Sequence, residues 1–378
     1  MPQHESRPGP VVGARLATHS RRQTNLWVRV WPGHGSRWGD LGPGSRRGGG
    51  LGGWPCGLGS VTESLQGPMR PSTRLQTATP LRLGAASVYI GTCSWTKGFE
   101  DWYPPRLRAS SAGRLRYYAS HFPVTEIDAT YYALLPPEQA ILLARRTPDG
   151  FLFGVKAFAP FTGHPVETRG LPGPARSLLP QKVVQAVRAW PRDLPSEVLD
   201  LCWDLFRAFL AALQAHGKLG YVLFQFPRWT AYSRGVLRYL EHVRERLQDH
   251  PVAVEWRHRS WVEGAVRWEM ARALRELGMA CVVADCPPLD WAPPLTVEIT
   301  APWSVARLHG RNAAGWQPGA GVEAAYDYLY SEEELHEWAG RARGIAARVD
   351  RLFVMFNNCT RGQAAVNAAR MVDLLASA

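Results

Sequence analysis

The stretch Val252-Ala253-Val254-Glu255-Trp256-Arg257-His258 decides the fold of this chain. Side chains alternate across a strand, so Val252, Val254 and Trp256 share one face while Ala253, Glu255 and Arg257 share the other. An apolar face opposite one that ends in charge fits a strand of a closed parallel barrel. The apolar side lies under helices, and the other side points to the barrel axis.

Working outward, short runs rich in β-branched and aromatic residues recur at 88–95, 125–130, 151–157, 221–226, 252–257, 280–285, 304–310 and 351–358. Most are followed by helical periodicity, which predicts a TIM-type (β/α)8 barrel of the α/β class. Ser233 is the expected N-cap of a helix whose buried face is Val236, Leu237, Leu240, Val243 and Leu247. Ser331 with Glu334 predicts a capping box, and Gly278 ends the stripe Val266, Met270, Leu274, Leu277. Two further stripes are Val198 to Leu213 and Ala365 to Leu375, whereas the prolines between the sixth and seventh runs predict a loop. The long connections 159–195 and 286–303 are expected to wall the barrel mouth.

Polar residues gather at the ends of these runs. Glu126, Asp128 and Thr130 share parity in the second, Arg307 and His309 in the seventh, and Lys156 ends the third. Gln225, Asp285 and the pair Asn357-Asn358 end the fourth, sixth and eighth. Barrel enzymes carry their chemistry at this end, and an apolar core does not require such residues there. Mutual pairing also accounts for them without chemistry: Glu255 with Arg307, Glu126 with Arg257, and Asp285 with Lys156 or His309. Nearby Trp95, Tyr131, Tyr132, Trp256 and Trp261 read as wall and core residues.

Composition sets the remaining bounds. The net charge is +12, but residues 1–86 hold eleven arginines against Glu5, Asp40 and Glu63, leaving 33 basic and 29 acidic residues beyond them. Overall charge therefore argues little for nucleic-acid binding by the barrel, 87–378. The Gly, Pro, Ser and Arg bias of 1–86 predicts a disordered tail, an organelle-targeting segment, or sequence upstream of a true start near Met69. The six cysteines lack CxxC spacing and read as reduced thiols. No run approaches a membrane span and no signal-peptide core is visible, so a cytoplasmic protein without membrane contact is expected. Oligomeric state is open.

The motifs fall in a recognisable order: Ile90-Gly91-Thr92-Cys93-Ser94-Trp95, Glu126-Ile127-Asp128-Ala129-Thr130-Tyr131-Tyr132, Val155-Lys156, and Leu223-Phe224-Gln225-Phe226-Pro227. Then come Val254-Glu255-Trp256-Arg257-His258 with Ser260-Trp261, Ala284-Asp285, Arg307-Leu308-His309-Gly310 and Phe356-Asn357-Asn358. This order resembles the YecE-like family, the domain of unknown function 72, over nearly all of the chain from Val88 to Leu375. The resemblance implies the TIM barrel and these site residues, but no substrate. Family members more often have Gly at Cys93 or Ser94, Asn at Asp128 and Ser at Ala129, so it assigns those positions no direct role.

The residue types point to an enzyme acting on a small anionic substrate, a phosphoester or sugar phosphate. Lys156, Arg257, Arg307 and Arg311 supply charge-assisted donors. Glu126, Tyr132, Gln225, Asn357 and Asn358 complete the binding surface. Gly310-Arg311 and the segment from Asn358 to Gly362 stand where barrels hold phosphate. Glu255 or Asp285 is the expected base and His309 the acid, if burial moves them toward neutrality. A divalent metal on Glu126, Glu255, Asp285 and His309 is chemically allowed, although HxH and HExxH spacings are absent. The alternative is a non-catalytic metabolite sensor or nucleic-acid-binding scaffold, the latter leaning on the arginine-rich tail.

Overall fold

The computed structural model describes residues 78–377 except 249 and 318. Strand β1 is Ala86–Thr92, β2 Val124–Ile127, β3 Leu152–Lys156, β4 Leu219–Gln225 and β5 Val252–Glu255. Strand β6 comes in two pieces, Ala280–Cys281 and Val283–Asp285, followed by β7 Trp303–Leu308 and β8 Arg351–Phe356. All pair in parallel, and β8 returns to β1 with Leu352 opposite Val88. The first piece of β6 pairs with β5 and the second with β7, while the Val282 amide donates to Val254 O at 2.9 Å across the break. Nine parallel segments thus form eight barrel positions. At the break, the Thr300 hydroxyl accepts from Cys281 N and donates to Met279 O, both at 2.7 Å, so these backbone groups stay satisfied.

The helical shell follows the sequence stripes. Ser233 caps Arg234–Arg246, and the Ser331–Glu334 capping box opens Glu332–Ala346. Gly278, at φ +61°, follows the helix Gly264–Glu276. No helix forms between β6 and β7, where half-buried Leu295, Val297 and Ile299 pack on the core instead. The tail boundary needs correction, because a strand at Leu81–Leu83 pairs antiparallel with the start of β1. Residues 1–77, with Cys56, lie outside the described residues.

Two apolar clusters confirm the alternation. Val252, Val254 and Trp256 belong to the layer between barrel and helices, whereas Ala253 joins Cys93, Val124, Tyr221, Leu223, Val305, Phe353 and Met355 inside the barrel. Trp256 stacks on Trp261 at 3.6 Å in the outer layer, as a core residue should. Gly154 matters to the interior, since a Cβ there would sit 2.6 Å from the Tyr221 ring. Its absence leaves room for Tyr221 to cross the barrel toward Glu126.

Candidate active site

Above this apolar interior the inward-facing positions turn polar. Arg307 donates from Nε and Nη2 to Glu126 Oε1 and Oε2 at 3.0 and 2.7 Å, and from Nη1 to Glu255 Oε2 at 2.5 Å. Tyr221 Oη donates to Glu126 Oε1 at 2.6 Å. Glu255 Oε1 accepts from Gln225 Nε2 at 2.8 Å and Arg257 Nη1 at 3.0 Å, with His309 Nε2 at 2.9 Å. Asn357 Nδ2 lies 2.8 Å from His309 Nδ1. If Asn357 donates there, Nε2–H is left to donate to Glu255, which makes the imidazole neutral. Expected pairing of Glu255 with Arg307 is thus found, whereas Glu126 pairs with Arg307 and not with Arg257.

This cluster is saturated and dry: Glu126, Glu255 and His309 are wholly buried and Arg307 is 1% exposed. Two carboxylates, two guanidiniums counting Arg257, and a neutral imidazole sum to zero charge, as a desolvated cluster requires. Burial alone would raise the Glu255 pKa, but Arg307, His309 and Arg257 outweigh it and hold the carboxyl well below its usual range. Burial would also raise that of Glu126, and Arg307 with Tyr221 brings it down. For His309 burial dominates, pushing the imidazole down to about 4 against the pull of Glu255. Neither Glu255 nor His309 therefore moves toward neutrality as base and acid, and that expectation is corrected.

Asp285 is the second correction. It shares parity with Val283, an outer-layer residue, and so points among the helices. There its carboxylate accepts from Tyr330 Oη and Trp338 Nε1 at 2.9 Å and from Arg311 Nε at 3.0 Å. Arg311 also binds Glu334 and Glu337, so neither residue joins the interior cluster or stands free for substrate. The proposed phosphate cradle is filled as well: Gly310 N donates to Tyr330 Oη, and Gly362 N donates to Gly98 O. Asn358 turns outward, donating to Tyr328 O and Asn367 Oδ1. The metal set does not assemble, since Arg307 stands between Glu126 and Glu255 and Asp285 faces away; among the described residues no group of His, Cys, Asp and Glu is placed to hold a metal.

Two residues beyond Glu126 on the same parity, Asp128 reaches the mouth. Its Oδ1 is buried without a hydrogen-bond partner, 3.9 Å from Lys156 Nζ, which also lies 4.6 Å from the centre of the Tyr131 ring. Burial raises the Asp128 carboxyl above its ordinary value despite Lys156. His164 packs on Tyr131 at 5.2 Å and is pushed down to about 3 by burial, then by Lys156 and Arg257. Neither residue was among the expected site residues. Alternation pointed to Asp128, while His164 lies in a connection with no periodicity to read. Tyr132, 69% exposed, stands on the outer rim. At the opposite end a cavity of about 410 Å³ is lined by a single charged group, Arg351, and carries no comparable constellation.

A parallel (β/α)8 barrel whose interior is plugged by an Arg307-centred charge cluster, beneath a rim of Asp128, Lys156 and Arg257, defines the class. The chain belongs to the family described as protein of unknown function DUF72, which matches residues 89–378. It is 30% identical over 294 residues to the UPF0759 protein YunF of Bacillus subtilis (strain 168), covering 76% of this chain and 94% of that one. A crystal structure of a DUF72 family protein from Thermotoga maritima MSB8 is 30% identical with a TM-score of 0.58, covering 76% and 99% of the two chains. Another, from Enterococcus faecalis V583, shares the fold at 24% identity with a TM-score of 0.63, covering 76% and 95%. No described helix is long and apolar enough to cross a membrane.

Proposed function

We propose that the barrel mouth is a hydrolase site for small anionic substrates, phosphoesters or sugar phosphates, with Asp128 moving the proton. The observation that carries this reading is the buried Asp128 Oδ1, which accepts no hydrogen bond and meets Lys156 only across a long 3.9 Å ion pair, on a carboxyl whose affinity for protons is raised. Catalytic bases work best with a pKa near the working pH, and a raised carboxyl approaches it while Glu255 moves away. Lys156 and Arg257 grip the anion. Asp128 takes a proton from the attacking water as the new P–O bond forms. The bond to the leaving oxygen breaks, and that oxygen is protonated from solvent. Glu255, His309, Gln225 and Asn357 are positioning residues that fix Arg257 and the floor of the mouth.

A panel of phosphoesters and sugar phosphates, with and without Mg²⁺, Mn²⁺ or Zn²⁺, tests this. Wild type should turn over at least one, Asp128→Asn should lower kcat by about 10²-fold or more, and Lys156→Ala should raise KM. Equal rates for wild type and Asp128→Asn end the proposal. If no ester reacts, yet phosphate esters raise the wild-type melting temperature and not that of Lys156→Ala, the mouth is a metabolite sensor instead.

A further inference from the structure

The rim of the mouth is an almost continuous arc of aromatic rings. On one side Trp190, Trp229, His164, Tyr131 and Tyr132 follow one another at centroid distances of 6.3, 5.5, 5.2 and 5.0 Å. On the other, Trp291, Trp316 and Tyr326 are spaced 5.9 and 5.6 Å apart, above His309. Arg228 lies 5.5 Å from the Trp291 ring centre and precedes Trp229 in the chain, so it links the two arcs.

Cations are set into this arc against rings, and of the four only Lys156 and Arg257 also meet an acid, Asp128 and Glu255 respectively. Lys156 packs on Tyr131, Arg257 on Trp316, Arg192 on Trp190 and Arg228 on Trp291. Among the described residues, Arg188, Arg192 and Arg228 make no ion pair with a carboxylate. In the helical shell Arg234, Arg246, Arg267 and Arg370 each hold one while, among the described residues, Arg116, Arg145 and Arg238 do not, so it is the neighbouring rings that set the rim arginines apart. Trp190, Trp229 and Tyr132 are also 37%, 45% and 69% exposed and share one rim, whereas Trp268, 62% exposed, stands apart on the helical shell.

We infer that this collar binds a single-stranded nucleic acid, its bases stacking on Trp190 and Trp229 and its phosphates lying on Arg188, Arg192 and Arg228. Exposed rings in succession beside uncompensated cations are how proteins hold unpaired bases and their backbone without reading sequence. A duplex has no free base faces to offer them. The inference stands whether or not Asp128 transfers a proton, because it concerns the rim and not the reacting centre.

Fluorescence anisotropy of the full chain with a labelled 12-nucleotide single strand, the same strand without bases, and a duplex tests it. The arginines of residues 1–77 contribute equally to the based and the abasic strand, whose backbones carry the same charge, so that comparison isolates the collar. The based strand should bind about tenfold or more tighter than the abasic one. Trp190→Ala with Trp229→Ala should erase that preference, and Arg192→Ala with Arg228→Ala should flatten the salt dependence of binding. Equal affinity for based and abasic strands, an equal loss of duplex and single-strand affinity in the double tryptophan variant, or an unchanged affinity in that variant would each overturn the inference.

Discussion

The interior plug and the rim of this barrel draw on the same strand ends and the same residue types, but they differ in saturation. In the plug, Arg307, Glu126, Glu255, His309 and the Nη1 side of Arg257 are buried and committed to one another, with no net charge. On the rim, Asp128 keeps an oxygen that accepts no hydrogen bond, and Arg192 and Arg228 face rings in place of carboxylates. A charged group whose lone pairs and protons are all consumed inside the fold stabilises the fold. One left incomplete at the surface is available to a ligand. The two situations lie two residues apart in the chain, from Glu126 in β2 to Asp128 just beyond its end.

Breaking the plug should give the largest effect. Arg307→Met leaves two buried carboxylates without their shared guanidinium, a loss of about 3–5 kcal/mol. For a domain of this size that lowers the melting temperature by roughly 10 °C, readable by circular dichroism. A fall of under 2 °C would mean that the plug does not hold the barrel.

A smaller effect concerns pH. The folded-state pKa of His309 is pushed down to about 4, below its ordinary value near 6.5. Between these values the unfolded chain binds the proton and the folded one does not. Stability therefore falls as pH drops through that window, by on the order of 3 kcal/mol from this residue. His309→Asn should flatten the dependence of the denaturation midpoint between pH 6.5 and 4.5, while His164, pushed down in the same way, leaves a residual slope. An unchanged slope would show that the buried imidazole is not the titrating group.

All eight barrel positions are legible in the sequence as short apolar runs, and most of them alternate a shell-facing apolar set with a distinct lumen-facing one. In β5 and β7 the lumen-facing set ends in Glu255, Arg257, Arg307 and His309, so the destination of those side chains could be read directly. Strand β6 offers no such contrast. Ala280, Val282 and Ala284 are as apolar as Cys281 and Val283, so nothing in the pattern says that Asp285 faces the helices. The pair Asn357-Asn358 is ambiguous for a similar reason, since adjacent residues cannot both face inward, and Asn357 does. Asp128 is legible by parity with Glu126, although the family pattern of Asn at that position assigns it no direct role. His164, Trp190 and Trp229 sit on connections whose course follows tertiary packing, and no periodicity announces them.

Stability and availability lie on different carboxylates, which one pair of melting curves in the same buffer at pH 7 compares directly. Glu255→Gln strips a buried, saturated anion from between Arg307 and Arg257, so its midpoint should fall by several degrees. Asp128→Asn removes a charge that the fold disfavours, so its midpoint should stay level or rise. A larger fall for Asp128→Asn than for Glu255→Gln would contradict the division of roles between plug and rim.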